Sequence, residues 1–392
     1  MTETRRGGVF FLFAVTSGIA AANVYYAQPL IAPIARELAL PVHFAGSIVA
    51  TMQVGFAAGL LLVVPLSDLF ENRRIVVLAL SAVVCGLLGV ATAHSITMFL
   101  LSSLLVGVGS VASSVLVPFA SQLTPPESRG RVVGIVMSGL LAGIVLARPL
   151  ASYVAGEFGW RAVFVVAAAL TLFAIALVLA VLPRREPSGQ LGYRAIMQSM
   201  PALVLHTPTL RRRAFYQGML FAAFSAFWTT VPLLLVDEFN LGHKGIALFT
   251  LAGAAGTFAA PIGGRLADRG LTHSATHLAL AATVFAFLLS SAGVAIRSLT
   301  LLVIAALVLD AALQINNVLS LRCIYMLPPE QRGRLHGLYI AFIFLCGAVG
   351  SLSSAALYAF GDWVAIASLG AVLGAIALIV NFNERSGDPC RL

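Results

Sequence analysis

The chain has 392 residues, of which 60% are apolar by a broad count and only 10% charged, whereas a water-soluble domain carries about a quarter of its residues charged. That balance excludes a soluble globular protein, and continuously apolar stretches such as Ile75 to Ala93 and Phe164 to Leu182 exclude a porin-like barrel, whose strands alternate polar and apolar residues. A formal charge of +9 would by itself suit nucleic acid, but the basic residues lie between the apolar stretches, where they mark a bilayer and not a nucleic-acid partner.

A membrane helix uses about 20 apolar residues, and twelve such spans are predicted, at about 9–35, 44–66, 75–93, 97–122, 132–155, 162–182, 214–236, 245–264, 277–296, 299–325, 335–358 and 363–382. The first follows Arg5 and Arg6 and contains Ala20-Ala21-Ala22, a signal-peptide pattern, but it continues past that site and eleven spans follow. It carries Asn23 and then Tyr25 and Gln28, polar for a membrane helix. Asp68, Arg73 and Arg74 follow span 2. Span 5 carries Gly134, Gly139 and Gly143 and then Ala147-Arg148-Pro149; small residues there permit close helix packing, and the proline loosens the backbone ladder.

The longest connection is polar and arginine-rich, and it divides the chain into a six-helix bundle over 1–183, a cytoplasmic linker over 184–213 and a second six-helix bundle over 214–392. Span 7 presents Gln217, Phe221, Phe224 and Trp228, and span 8 runs into Gly264-Arg265-Leu266-Ala267-Asp268-Arg269. In span 10, Asp310, Gln314 and Asn317 share one helix face at i, i+4, i+7 spacing. The four cysteines, Cys85, Cys323, Cys346 and Cys390, have neither metal-site nor disulfide spacing and read as small core residues. With the amino terminus inside, eighteen arginines fall on the cytoplasmic side, against Arg36, Arg161, Lys244 and Arg297 outside; both termini are therefore expected in the cytoplasm.

The halves repeat. Pro125-Pro126-Glu127-Ser128-Arg129-Gly130-Arg131 recurs 203 positions later as Pro328-Pro329-Glu330-Gln331-Arg332-Gly333-Arg334, and Phe158-Gly159-Trp160 is matched by Phe360-Gly361-Asp362-Trp363. An even number of spans separates the copies, so the halves share one topology and relate by an axis along the membrane normal.

With its two six-span halves, the loop Gly264 to Arg269 and the reduced first copy Leu66-Ser67-Asp68-Leu69-Phe70-Glu71-Asn72-Arg73-Arg74, the chain resembles the major facilitator superfamily over essentially its whole length. The glycine series of span 5 looks like a variant of the motif of its drug and proton antiporter branch. Asn23 to Leu30, Phe227-Trp228-Thr229-Thr230 and Asp310 to Asn317 resemble a bacterial efflux-permease branch. The resemblance implies that Asp68, Arg73, Arg74, Gly264, Asp268 and Arg269 form a conformational latch; the alternative is that the acids cap helices and the arginines set topology. It also implies that spans 1, 4, 7 and 10 surround a substrate cavity, lined here by Tyr25, Gln28, Gln217, Phe221, Phe224, Trp228, Gln314 and Asn317, although the span 7 residues could equally serve helix packing. Gly139, Gly143 and Pro149 are the expected packing and hinge residues of span 5.

Only Asp310 and Arg148 place charge deep inside spans, where each costs a few kcal/mol or more. The 203-residue offset pairs them with Gly107 and Ser351, so neither charge is repeated. Three roles stay open: a structural ion pair, proton uptake and release at Asp310, and recognition of a charged substrate. The expected function is proton-coupled efflux of small organic compounds by alternating access, with uptake or exchange of a specific metabolite such as a sugar, amino acid or organic anion as the alternative. The chain is expected to be no enzyme and to hold no cofactor or metal. It would draw on the proton motive force and work as a monomer in the bacterial cytoplasmic (inner) membrane, with protons, an organic solute and lipid as its partners.

Overall fold

The computed structural model describes residues 3–124, 128–183, 192–328 and 331–383. Outside them lie the repeat residues Pro125 to Glu127, Pro329 and Glu330, the linker residues 184–191 with Arg184 and Arg185, and positions 384–392 with Arg385, Cys390 and Arg391. Among the described residues all regular structure is helical. In chain order the α-helices are α1 (Glu3–Ala22), α2 (Ile31–Glu37), α3 (Ser47–Leu62), α4 (Asn72–Ala91), α5 (Ile96–Ser110), α6 (Ala112–Gln122), α7 (Arg129–Phe158), α8 (Trp160–Val181), α9 (Tyr193–His206), α10 (Pro208–Asp237), α11 (His243–Ala254), α12 (Ala260–Asp268), α13 (Thr272–Ala295), α14 (Leu299–Tyr325) and α15 (Arg332–Phe382).

Ten helical stretches among these residues are long and apolar enough to cross a membrane, and Val9–Ala22 is a shorter apolar helix. Large apolar side chains such as Leu101, Leu278 and Val349 stand exposed along them, as lipid-facing positions require. The 51 residues of α15 are two helices meeting at Gly361 and Asp362, whose backbone angles are non-helical. One straight helix of that length would run about 76 Å, more than twice a hydrocarbon core. The corresponding corner between α7 and α8 is Gly159, with φ +81°. In the first copy the glycine takes the left-handed conformation; in the second the aspartate does, at φ +52°.

The sequence repeat is visible in how the helices are capped. Ser95 accepts a hydrogen bond from the Met98 amide at the start of α5, and Ser298, 203 positions on, accepts one from the Leu301 amide at the start of α14. Each cap contributes about 1 kcal/mol. The loop arginines repeat as well: Arg129 Nε donates to the Thr124 carbonyl at 3.1 Å and Arg332 Nε to the Leu327 carbonyl at 3.0 Å, tying each long helix to the end of the preceding span.

Several predicted spans are not continuous, span 4 among them, which divides at Val111 into α5 and α6. Span 1 is helical to Ala22, passes through turns and a 3₁₀ segment at Gln28–Leu30, and resumes as α2. Pro29 has no amide to continue the ladder, and its ring opposes the carbonyl four residues back. Span 8 is interrupted by a 3₁₀ segment at Ala255–Ala259, between α11 and α12, next to Pro261. The predicted linker also holds structure: α9, with Ile196 and Met200 buried, and the first six residues of α10.

The chain forms two compact units, Met1–Leu30 with Thr51–Ser199 and Ile31–Ala50 with Met200–Leu392. The first is built on an apolar cluster that includes Phe13, Leu80, Phe119, Val136 and Val178, with the rings of Phe13 and Phe119 edge to face at 5.7 Å. In the second, Phe227 packs edge-on against Trp363 and Phe287, and the Trp363 indole donates to Ser290 Oγ at 3.2 Å. The cysteines do not behave as a uniform set of core residues: Cys85 is exposed and Cys346 half-buried, whereas Cys323 is buried.

Candidate functional site

In the first unit the interrupted segment of span 1 meets α7. Arg148 is 3% exposed. Its Nε donates to Gln28 Oε1 at 2.6 Å, and its guanidinium lies over the Tyr25 ring, 5.3 Å from the centroid. The break aims these side chains: Gln28 opens the 3₁₀ turn, and Asn23, at the end of α1, is tied by its amide to the Ile19 carbonyl at 3.0 Å. A charge-assisted hydrogen bond of this kind contributes about 1.5–3 kcal/mol, and the aromatic face adds about 1–2 kcal/mol when desolvated.

Close helix approach holds this arrangement in place. A Cβ on Gly18 would lie 2.6 Å from the Gly139 carbonyl oxygen, and one on Gly143 would run into the backbone of Gly18. Helices α1 and α7 therefore touch backbone to backbone. Pro149 is buried inside α7 beside Arg148.

In the second unit the charge is Asp310, also 3% exposed. The Trp228 indole donates to its Oδ1 at 3.3 Å, from α10 to α14. Span 8 lies against both residues: a Cβ on Gly256, in its 3₁₀ segment, would meet Asp310 Cβ at 2.7 Å, and one on Gly253, in the last turn of α11, would meet the Trp228 ring at 2.7 Å. Farther along the same helices, Asn316 Nδ2 donates to Gln217 Oε1 at 2.7 Å, Gln217 Nε2 donates to the Leu313 carbonyl at 3.3 Å and Tyr339 Oη donates to Asn317 Oδ1 at 3.1 Å. Arg213 Nη1 donates to Thr276 Oγ1 at 3.0 Å. In this unit the rings of Phe221 and Phe224 stack with centroids 5.5 Å apart, and Phe344 lies tilted against Phe221 at 4.9 Å.

The helix contacts set a register between the repeats. Gly18 packs on Gly139 and Gly143; Gly218, 200 positions later, packs on Phe342 and Cys346, each 203 positions beyond those glycines. In that register Gln28 corresponds to Trp228. Each unit thus uses the same place on its first long span to hold one buried ionisable side chain, a cation in one unit and an acid in the other. Ser351, the counterpart of Arg148, accepts a hydrogen bond from Thr229 at 3.0 Å.

The family model for the Major Facilitator Superfamily matches residues 13–324. The chain belongs to the major facilitator superfamily. Among superfamily relatives it is 39% identical to the uncharacterized transporter YgaY of Escherichia coli O157:H7, over 94% of this chain and 93% of that one. It is 26% identical to the purine ribonucleoside efflux pump NepI of E. coli O6:K15:H31, over 67% of this chain and 64% of that one. The crystal structure of the human organic anion transporter MFSD10 (TETRAN) superposes with a TM-score of 0.70 at 20% identity, covering 97% of this chain and 100% of the other, which shows a shared fold. The protein is a multi-pass membrane transporter of the secondary type, not an enzyme.

Within this superfamily frame, Tyr25, Gln28 and Arg148 stand together in the first unit, and Gln217, Phe221, Phe224, Trp228, Asp310 and Asn317 stand along one pair of helices in the second. Gln314 is half-buried. Among the predicted latch residues, Arg73 donates to the Leu182 carbonyl at 3.1 Å, Arg74 pairs with Glu71 at 2.9 Å, and Asp268 pairs with Arg322 at 2.6 Å. Gly264 is half-buried and Arg269 exposed at the end of α12. The backbone of Asp68 closes a 3₁₀ turn, Val64–Asp68, and its side chain lies outside the described residues. Sequence reading passed over Arg213, Asn316 and Tyr339. The signal for Arg213 was its spacing of four from Gln217, on the same helix face as Phe221.

Proposed function

We propose that the protein is a proton-coupled exporter of small organic compounds, working by alternating access with twelve crossings and both termini in the cytoplasm. The carrying observation is that each unit places a buried ionisable side chain, Arg148 or Asp310, beside an interrupted span. Interrupted spans with ionisable groups at mid-membrane depth are where secondary transporters place their substrate and coupling ions. In this reading Asp310 takes up and releases the proton, and Arg148 holds the cavity end of span 1. The aromatic stack of Phe221, Phe224 and Trp228 offers area to a planar or amphipathic solute, and Gln217 and Asn317 offer orientation. The activity of NepI, purine ribonucleoside efflux, supports export. The protein works as a monomer in the bacterial cytoplasmic membrane, drawing on the proton motive force, with Asp68, Arg73, Arg74, Gly264, Asp268 and Arg269 as its latch.

A second reading, uptake or exchange of one defined metabolite, is favoured by the hydrogen-bonded amides of Gln217 and Asn316, which suit a polar solute of fixed shape. Proteoliposomes decide between them. Under an imposed pH gradient, candidate drugs, nucleosides, sugars and amino acids are added in turn and proton movement is followed. Solute-dependent proton flux that disappears in Asp310→Asn, with counterflow exchange retained, supports the first reading. Unchanged uphill transport in that variant rejects Asp310 as the carrier.

A further inference from the structure

Span 8 differs from its repeat counterpart at a place that faces Asp310. Span 2 is a continuous helix from Ser47 to Leu62, and its Gly55, in the first unit, packs on Gly107, the counterpart of Asp310. In the second unit the corresponding stretch winds as a 3₁₀ turn over Ala255–Ala259. A Cβ on Gly256 would lie 2.5 Å from the Leu307 carbonyl oxygen as well as 2.7 Å from Asp310 Cβ, so this glycine leaves no room for any side chain. Gly253, one turn earlier, bears on the Trp228 ring, whose nitrogen holds the carboxylate. A short 3₁₀ stretch inside a helix has poorer hydrogen-bond geometry than the α-helix around it, and it commonly marks a hinge.

We propose that Trp228 and Gly256 are positioning residues for Asp310, and that through them the ionisation of Asp310 sets the conformation of the 3₁₀ segment 255–259. This rests on the reading of Asp310 as the proton carrier. The indole N–H donates only and here holds a carboxylate oxygen; loss of the carboxylate charge weakens that bond and releases the ring that bears on Gly253. Among the groups meeting Asp310 are the Trp228 indole from α10 and the Gly256 backbone from the 3₁₀ segment. The other charged groups of these elements stand near their ends: Arg211, Arg212, Arg213 and Asp237 on α10, His243, Lys244, Arg265 and Asp268 on span 8, and Arg322 on α14.

Protons alone are a sufficient probe. In purified full-length protein carrying Trp160→Phe and Trp363→Phe, Trp228 is the remaining tryptophan. Its emission should follow one titration between about pH 4 and pH 10, absent in Asp310→Asn and displaced in Gly256→Ala. Gly263→Ala, on the same span but packed on Ile315, should titrate like the parent. Hydrogen exchange on protein with all tryptophans intact gives a second readout. At one fixed pH, Asp310→Asn and Trp228→Phe should each speed exchange across 255–259 about tenfold, the size expected for losing a hydrogen bond to a charged group, and leave α13 unchanged. Flat emission in the parent, or unaltered exchange at 255–259 in both variants, overturns the proposal. If Asp310→Asn still couples transport to protons in liposomes while its Trp228 emission no longer titrates, the carrier reading fails and the positioning of Asp310 stands.

Discussion

Arg148 and Ser351 occupy equivalent places in the two repeats, yet one side chain carries a full charge and the other a hydroxyl. Removing the guanidinium takes away a charge-assisted bond to Gln28 worth about 1.5–3 kcal/mol, while removing the Ser351 hydroxyl costs an ordinary hydrogen bond to Thr229 of about 1 kcal/mol. Arg148→Ala is therefore expected to lower the transport rate by about tenfold or more, and Ser351→Ala by a few-fold at most; equal tolerance in a liposome transport assay would leave the arginine a purely structural part. At this scale the sequence was most legible where a residue broke a rule of its surroundings. Asp310, Arg148 and Gln28 stood out because membrane spans rarely hold such groups. Asn316 did not, because an i, i+4, i+7 stripe through Asp310 selects Gln314 and Asn317, whereas the crossing of α10 over α14 brings Leu313 and Asn316 to Gln217. Arg213 was read as a loop residue because helix α10 begins at Pro208, before its apolar run starts.

The α1 and α7 pair is an element whose tolerance can be stated position by position. Gly143→Ala pushes a methyl into the Gly18 backbone and should cost about 1–3 kcal/mol, whereas Gly134→Ala meets nothing within 4 Å and should be neutral or gain up to about 1 kcal/mol of helix propensity. Thermal unfolding in detergent separates the two. At the corner inside α15, Asp362 holds a left-handed conformation that costs a non-glycine residue about 1–2 kcal/mol. Asp362→Gly should consequently raise the melting temperature, and a fall would show that the carboxylate compensates through its surroundings. Span positions were readable from apolar run length, and the glycines of span 5 from their small size. The interruptions at Gln28–Leu30 and Ala255–Ala259 were not, because Pro29 and Pro261 sit in strings apolar enough to pass as unbroken helix, and only the packing partner shows which way the chain turns.

For the molecule as a whole, the distribution of arginines makes the firmest statement. A reporter enzyme fused beside Lys244, between α10 and α11, is expected on the outer face of the membrane; cytoplasmic activity there would overturn the orientation and every depth inferred from it. The two-fold repeat was legible from the loops, and the structure extends it to the caps Ser95 and Ser298 and the tethers Arg129 and Arg332. What the repeat could not convey is where the units diverge, since Gly107 and Asp310 differ by a single codon's worth of sequence but by a whole chemistry. The broken first span also bears on how the protein is made. Its continuous apolar helix, Val9–Ala22, is about 21 Å long against a core of about 30 Å, so on leaving the ribosome it is a poor candidate for independent entry into the bilayer. It gains a backbone-to-backbone partner only when α7 has been synthesised, more than a hundred residues later. The first span is therefore expected to be held only weakly in the bilayer until later spans arrive, and a nascent chain ending at Pro41, before the second span, should be extractable by alkali.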